Sequence, residues 1–368
     1  MSKETDTRKM QLLLQYAAKI AETRELDNLL AEIADMGRLL IGADRSTVWL
    51  LDEEKGILWT KVAHGVSRIE VPMDSGIVGE SVKTKETIVS NDPYSLPFFN
   101  RDVDRSTGYT TKSLLTIPMF DEEGNVFGVF QCTNKITEDY KFTEEDVTLL
   151  HFITSYAEKT ILAAQLAKEI EATQIEIIFL MSEIGESRSK ETGNHVKRVA
   201  AVSERLAQLA GLSESDVSLL LHASPMHDIG KVAIPDSVLL KPGKLTDEEY
   251  ATMKNHTAIG YHLLSSSKRP IIKAASIVTH EHHEKWNGSG YPRGIAGEDI
   301  HIFGRITAIA DVFDALACAR IYKPAWEKER VRKLFEEESG RHFDPELCKI
   351  FLEHFEEFYE IVDQYKDV

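Results

Sequence analysis

The pattern of apolar and polar positions changes character twice along the chain. Between residues 11 and 41 apolar side chains recur at helical intervals, first Leu13, Ala17 and Ile20, then Leu29, Ile33, Met36 and Leu40. Short β-rich runs follow at 46–51, 57–63, 113–119 and 126–133, and Asp121 to Gly124 between the last two predicts a hairpin turn. Helices on both sides of several antiparallel strands imply an α+β domain over residues 11–142, an antiparallel sheet with flanking helices.

From 143 to 186 no Pro or Gly interrupts the pattern before Gly185, and Leu150, Ile153, Ala157, Thr160, Ala164 and Ala167 fall at spacings of 3, 4, 3, 4 and 3. This predicts one long connecting helix with a coiled-coil-like seam. Such a helix cannot bury its stripe alone. A parallel homodimer is the economical expectation, with packing against the chain's own domains as the alternative. Residues 187–368 read as nearly all helix. Thr246 to Glu249 form a capping box ahead of the helix that holds His256, and Pro270 suits the first turn of a helix running to His282. Asn287-Gly288 and Gly290 to Pro292 break the pattern into a loop, and Ile306, Ile309, Phe313 and Leu316 form the apolar face of a further helix. The expectation is a multidomain protein: α+β domain, linker helix, all-α bundle.

Composition adds exclusions. Of 368 residues 42% are apolar and 28% charged, the profile of an ordinary globular chain. The net charge of −17, from 43 basic and 60 acidic side chains, repels polyanions and argues against a nucleic-acid polymer as partner. It does not exclude a small phosphate ligand, because bound cations and a few local Lys or Arg reverse the field within one cleft. Cys132, Cys318 and Cys348 are scattered, which points to a reducing compartment rather than to a disulfide framework or a zinc pattern. The charged N-terminal stretch has no apolar signal-peptide core, and the apolar cluster 177–181 is too short to span a bilayer. A cytoplasmic protein without a membrane partner is expected.

Histidine usage points to chemistry. Eleven of the thirteen histidines lie at or after residue 195. Glu191 and His195 stand four apart on a predicted helix and share a face. His227 and Asp228 are adjacent, His256 lies mid-helix, His282 and His283 end another helix, and Asp311 sits among apolar residues. Singly, each is an ordinary buried or surface side chain. Jointly, imidazoles and carboxylates without thiolates suit Fe, Mn, Zn or Ni rather than a structural zinc site.

Two resemblances follow. In the first domain, Ser90 to Tyr94, Asn134-Lys135, Phe142 and Asp146 resemble a GAF domain and the signature of its cyclic-nucleotide-binding members. The final Glu of that signature is Val147 here, which favours a bracing role for these residues over cyclic-nucleotide binding; another small-molecule ligand stays open. In the last domain, His227-Asp228-Ile229-Gly230-Lys231 resembles the HD phosphohydrolase signature. The run from His282 to Pro292, HHEKWNGSGYP, resembles the extension that defines the HD-GYP family. Ile234 to Asp236, Leu240 to Gly243, His256 to Gly260 and Ile309 to Leu316 extend the similarity from Glu191 to Pro324 in unbroken order.

That resemblance implies a GAF sensory domain (11–142), a connecting and dimerisation helix (143–186) and an HD-GYP catalytic domain (187–368) that hydrolyses cyclic di-GMP to pGpG and on to GMP. The family's metal ligands match His195, His227, Asp228, His256, His282, His283 and Asp311. Glu191 matches an additional ligand of members with three metals, so two or three divalent ions are implied, iron foremost and manganese as an alternative. Asp228 and Lys231 match catalytic positions, Lys231 lying near the scissile phosphate, and Arg320 and Lys323 match residues that hold substrate phosphates. Two close cations would supply Lewis acidity and a water of lowered pKa. The rival readings are hydrolysis of another cyclic dinucleotide such as cyclic GMP-AMP, and a cyclic di-GMP receptor or adaptor without turnover.

Overall fold

The computed structural model describes residues 2–23, 25–60, 68–189, 193–318 and 324–365. The chain divides into two compact units, residues 1–170 and 171–368.

The first unit opens with two helices, α1 (Ser2–Glu22) and α2 (Leu26–Ile41), which carry the helical pattern of residues 11–41. The elements β1 (Ala43–Asp52), β2 (Ile57–Thr60), β3 (Ile69–Pro72), α3 (Gly76–Thr84), β4 (Ile88–Ser90), α4 (Arg101–Thr107), β5 (Leu114–Phe120) and β6 (Val126–Lys135) follow. One sheet of order β3-β2-β1-β6-β5-β4 forms, with every neighbouring pair antiparallel. The expected hairpin joins β5 to β6. Alternation along β6 sends Phe130 and Cys132 to one face and Val129 to the other. On the first face they meet Leu29, Ile33 and Met36 of α2, and on the second Val129 packs with Leu58 and Val78. Strand β3 was not read from the sequence. Three of its four residues are exposed, so its sequence carries no alternation of buried and exposed positions.

The GAF-like signature residues are all engaged inside this unit. Asn134 Oδ1 accepts from the backbone N–H groups of Lys112 (2.6 Å) and Ser113 (3.2 Å). Lys135 Nζ donates to the Ile41 carbonyl and to Asp146, both at 2.5 Å, and Phe142 is a core residue. The signature therefore ties β6 to α2 and to the start of the next helix.

That helix, α5 (Glu144–Ser187), is 44 residues long. Its first half does not present the expected seam to a partner. Leu150, Ile153, Ala157 and Ile161 are fully buried in the core of the first unit. Spacings of three and four identify a helical stripe but not the surface that covers it, and here the chain's own sheet and helices do so. Phe152 is exposed in this first half, and further along so are Leu166, Ile170, Ile177, Leu180, Met181 and Ile184.

The second unit continues with α6 (Gly193–Leu209), α7 (Glu214–Ala223), α8 (Asp236–Leu239), α9 (Asp247–Leu264), α10 (Pro270–Glu281), α11 (Ile302–Ala317), α12 (Lys328–Glu338), α13 (Pro345–Glu353) and α14 (Phe355–Gln364). The capping box at Thr246 is present, worth about 1 kcal/mol to α9, and Pro270 occupies the first turn of α10. Phe313 of α11 packs against Phe351, Phe355 and Tyr359, and this aromatic core supports α11 from below. Two glycines bring the backbone after Asp228 against α9. A Cβ on Gly230 would lie 1.9 Å from the His256 carbonyl oxygen, and one on Gly260 would lie 2.1 Å from Thr279 Cγ2. The turn carrying His227-Asp228 is thereby seated beside the helix that carries His256. Among the described residues, no helix is long and apolar enough to cross a membrane. Cys132, Cys318 and Cys348 form no disulfide.

Candidate metal centre

Each histidine reaches one place from a different element: His195 from α6, His227 from the turn after α7, His256 from α9, and His282 with His283 from the end of α10. Asp311 comes from α11. The rings of His195 and His227 lie 5.4 Å apart, those of His227 and His282 5.2 Å, and those of His256 and His283 5.2 Å. Asp228, His256, His282 and His283 offer ligand atoms within 4.8 Å of one another. Glu186, His195 and His227 form a second such group. Asp311 Oδ1 stands 3.8 Å from Nε2 of both His195 and His227.

The hydrogen bonds fix which ring nitrogens face inward. His227 Nδ1 lies 2.9 Å from the Ser224 carbonyl, His256 Nδ1 2.8 Å from that of Met253, and His282 Nδ1 3.0 Å from that of Val278. A carbonyl only accepts, so each Nδ1 donates its proton and each Nε2 is left with its lone pair. Those three Nε2 atoms, together with Asp228 Oδ1, are buried without a hydrogen-bond partner. His256 Nε2 is 3.1 Å and His282 Nε2 3.7 Å from Asp228 Oδ1, yet neither contact has hydrogen-bond geometry. Buried polar atoms left in this way are costly unless something else binds them. A cluster of inward imidazole lone pairs and a carboxylate is the donor set of a divalent cation, so the residues fit a metal centre.

Electrostatics point the same way. Burial opposes a charge on His227, but Asp228, Asp311 and Glu186 outweigh it and push its pKa up to about 10. With no cation present that surplus of negative charge would hold a second proton on the inward Nε2, the position a cation would take in its place. Burial also works against ionised Asp228, but Lys231 and His227 more than compensate and hold it well below the usual carboxylate range. Burial pushes His282 down, and burial with the neighbouring His282 pushes His283 further down.

Residues around the cluster orient it. His195 Nδ1 is 2.6 Å from Asp314, which also pairs with Arg198. Burial opposes the Asp314 charge, but His195 and Arg198 overcome it and bring its pKa to about 2. Lys231 Nζ is 2.6 Å from Asp228 and 3.3 Å from Glu186. Tyr291 covers one side, its ring 4.8 Å from that of His283. Its loop is anchored by Glu284, whose Oε1 accepts from the N–H groups of Arg293 (2.7 Å) and Gly294 (3.2 Å).

The structure thus assembles His195, His227, Asp228, His256, His282, His283 and Asp311 in one place, with Lys231 beside them. Glu191, Arg320 and Lys323 lie outside the described residues. Glu186, Asp314 and Arg198 were not singled out in the sequence. Asp314 carried one usable signal, its position one turn after Asp311 on the same helix.

Comparison with known proteins agrees with this architecture. The family described as "HD domain" matches residues 179–347, and the "GAF domain" family matches residues 25–161. The chain is similar to the 3'3'-cGAMP-specific phosphodiesterase 2 of Vibrio cholerae, at 50% identity over 52% of this chain and 36% of that protein. It is similar to a cyclic di-GMP phosphodiesterase of the same organism, at 42% identity over 56% of this chain and 46% of that one. A cyclic di-GMP phosphodiesterase of Thermotoga maritima is 41% identical over 57% of this chain and 56% of its own length. The chain therefore spans 36 to 56% of the length of these relatives. Its residues 25–161 are thus similar to GAF domains and its residues 179–347 to HD domains.

Proposed function

We propose that the chain is a metal-dependent phosphodiesterase that cleaves cyclic di-GMP to linear pGpG, with GMP as the product of a second cleavage, under regulation by its GAF domain. The observation that carries this reading is the set of inward, unpartnered Nε2 atoms of His227, His256 and His282 around Asp228. Relatives that share the HD region are named as cyclic di-GMP phosphodiesterases, which supports the substrate.

His195, His227, Asp228, His256, His282, His283 and Asp311 would hold two divalent ions, with iron first and manganese second in preference, and Glu191 would serve a third. Bound there, the ions supply Lewis acidity toward an anionic diester and lower the pKa of the attacking water. The protein's own groups do the rest. Asp228 and Asp311 limit the net positive charge of the loaded centre. Lys231, at its edge, offsets negative charge that builds on the phosphate or protonates the departing alkoxide. Arg320 and Lys323 would hold substrate phosphates. Tyr291 walls the site on the His283 side and restricts water there.

A second substrate reading has its own support, since the relative at 50% identity is named for cyclic GMP-AMP. Incubating the metal-loaded chain with equimolar cyclic di-GMP and cyclic GMP-AMP separates the two. Faster loss of cyclic di-GMP is expected, and preferential loss of cyclic GMP-AMP would transfer the assignment.

We also infer a homodimer through the second half of α5. The exposed residues fall in heptad register, with Ile170, Ile177 and Ile184 seven apart, and Leu166, Thr173 and Leu180 also seven apart and four before them. β-Branched residues at one seam position and Leu at the other favour two parallel strands. An antiparallel pair would set the column Glu169, Glu176 and Glu183 against its own copy.

A further inference from the structure

The long helix α5 ends inside the metal centre. Glu186 lies in its last turn and is buried, with a carboxylate oxygen within 4.8 Å of ligand nitrogens of both His195 and His227. Its Oε2 accepts from Ser189 Oγ at 2.9 Å and lies 3.3 Å from Lys231 Nζ. His227 Nε2, on the facing side of this group, is fully buried and has no hydrogen-bond partner.

The end of α5 is also clamped to the segment that follows Asp228. The Arg188 guanidinium donates to the carbonyls of Lys231 (3.2 Å), Val232 and Ile234 (3.2 Å) and pairs with Asp236 at 2.6 Å. Gly185 faces Ile229 at ordinary contact range, a Cβ there falling 3.5 Å from its Cδ1. These contacts tie the turn that carries Glu186 to the segment from Lys231 to Asp236.

We propose that Glu186 is a carboxylate ligand to an ion held at the His195–His227 end of the centre, which makes the C-terminal turn of α5 part of the metal site. This rests on the metal-centre reading above and extends it to a residue outside the matched ligand set. A buried carboxylate facing two imidazoles completes a three-ligand group of the kind divalent cations take. A helix that runs from residue 144 and terminates in a ligand gives regulation a direct route: displacement of its last turn withdraws a donor from the ion.

The test measures metal binding, not turnover. Wild type, Glu186→Gln and Glu191→Gln are purified anaerobically, stripped, and titrated with Mn²⁺, with metal per chain measured after desalting and Tm recorded with and without the ion. Glu186→Gln should bind one ion fewer per chain, or bind it at least about tenfold more weakly. It should melt with the wild type when metal-free but gain less Tm from Mn²⁺. Wild-type stoichiometry, affinity and Tm gain in Glu186→Gln would overturn the assignment. Should that variant fail to fold, Glu186→Asp replaces it. A weakened Mn²⁺ affinity then supports the proposal, and an unchanged one overturns it. A wild-type chain that takes up no ion would instead overturn the metal-centre reading itself.

Discussion

Asp314 lies 2.6 Å from Nδ1 of His195 while it also grips the buried guanidinium of Arg198. The imidazole is thereby turned so that its Nε2 faces Asp311 at 3.8 Å. A carboxylate behind a ligating histidine sets its tautomer and raises its donor strength. Asp314→Asn should weaken metal affinity about 10- to 100-fold, by analogy with other outer partners of metal ligands. It should also lower stability, because Arg198 stays buried beside a neutral group. Metal titration together with thermal melts checks both effects, and unchanged affinity would show that Asp314 serves Arg198 alone.

His227→Ala and Asp228→Ala should each abolish turnover and reduce bound metal, since each removes a donor from the middle of the cluster. The GAF unit has its own core and should keep its fold in both variants, as judged by limited proteolysis and circular dichroism. Wild-type cleavage by Asp228→Ala would contradict the mechanism.

Lys231→Ala should separate rate from metal content. Its ammonium group approaches Asp228 at 2.6 Å but offers no lone pair to a cation. Turnover should fall by roughly two orders of magnitude or more, the usual cost of losing a charge-stabilising or proton-donating group. Metal per chain should stay close to wild type. Parallel loss of both would make Lys231 a structural partner of Asp228.

Gly230→Ala should act on the site through the backbone. A methyl group there overlaps the His256 carbonyl at 1.9 Å, so the turn bearing Asp228 must move away from α9. Overpacking of this kind costs about 1–3 kcal/mol. The variant should melt earlier and bind metal more weakly, although no ligand has been changed.

His342, outside the matched ligand set, gives the second unit an acid-labile contribution. Burial and Lys285 outweigh the opposing charge of Asp311 and push its pKa down to about 4, against about 6.5 when unfolded. Between those values the unfolded chain binds the proton and the folded one does not. Stability therefore falls as pH drops from about 6.5 to about 4 and levels off below, by up to roughly 3 kcal/mol. His342→Phe keeps a ring to stack on Phe343 and should make the fall of Tm over that range shallower.

The dimer seam is tested by Ile177→Glu. Sedimentation of the wild type at micromolar concentration should give a dimer and that of the variant a monomer. A monomeric wild type would remove the seam from the account.

The site was more legible in the sequence than its surroundings. His227-Asp228 and His282-His283 stand out because contiguous pairs of ligand-type residues are uncommon in a helical domain, and the resemblance supplied the order of the rest. Glu186 and Asp314 were not legible, because an acid on a helix is ordinary until tertiary packing buries it against an imidazole. The first-unit sheet was readable where strands form runs of apolar residues, as in β5 and β6, and unreadable in the mostly exposed β3. On α5 the periodicity was real but covered from within the chain at Leu150, Ile153 and Ala157. Which stripe of an amphipathic helix meets its own domain depends on contacts distant in sequence.

The most direct test of the central claim is cyclic di-GMP turnover by the chain purified anaerobically, before chelation, after chelation, and after Fe²⁺ or Mn²⁺ is restored, with metal per chain measured in each sample. The account predicts that pGpG accumulates, that chelation stops it, and that returning two or more ions per chain restores it. A fully loaded sample that leaves both cyclic di-GMP and cyclic GMP-AMP intact, or one that cleaves equally well after its metal is stripped, would contradict it.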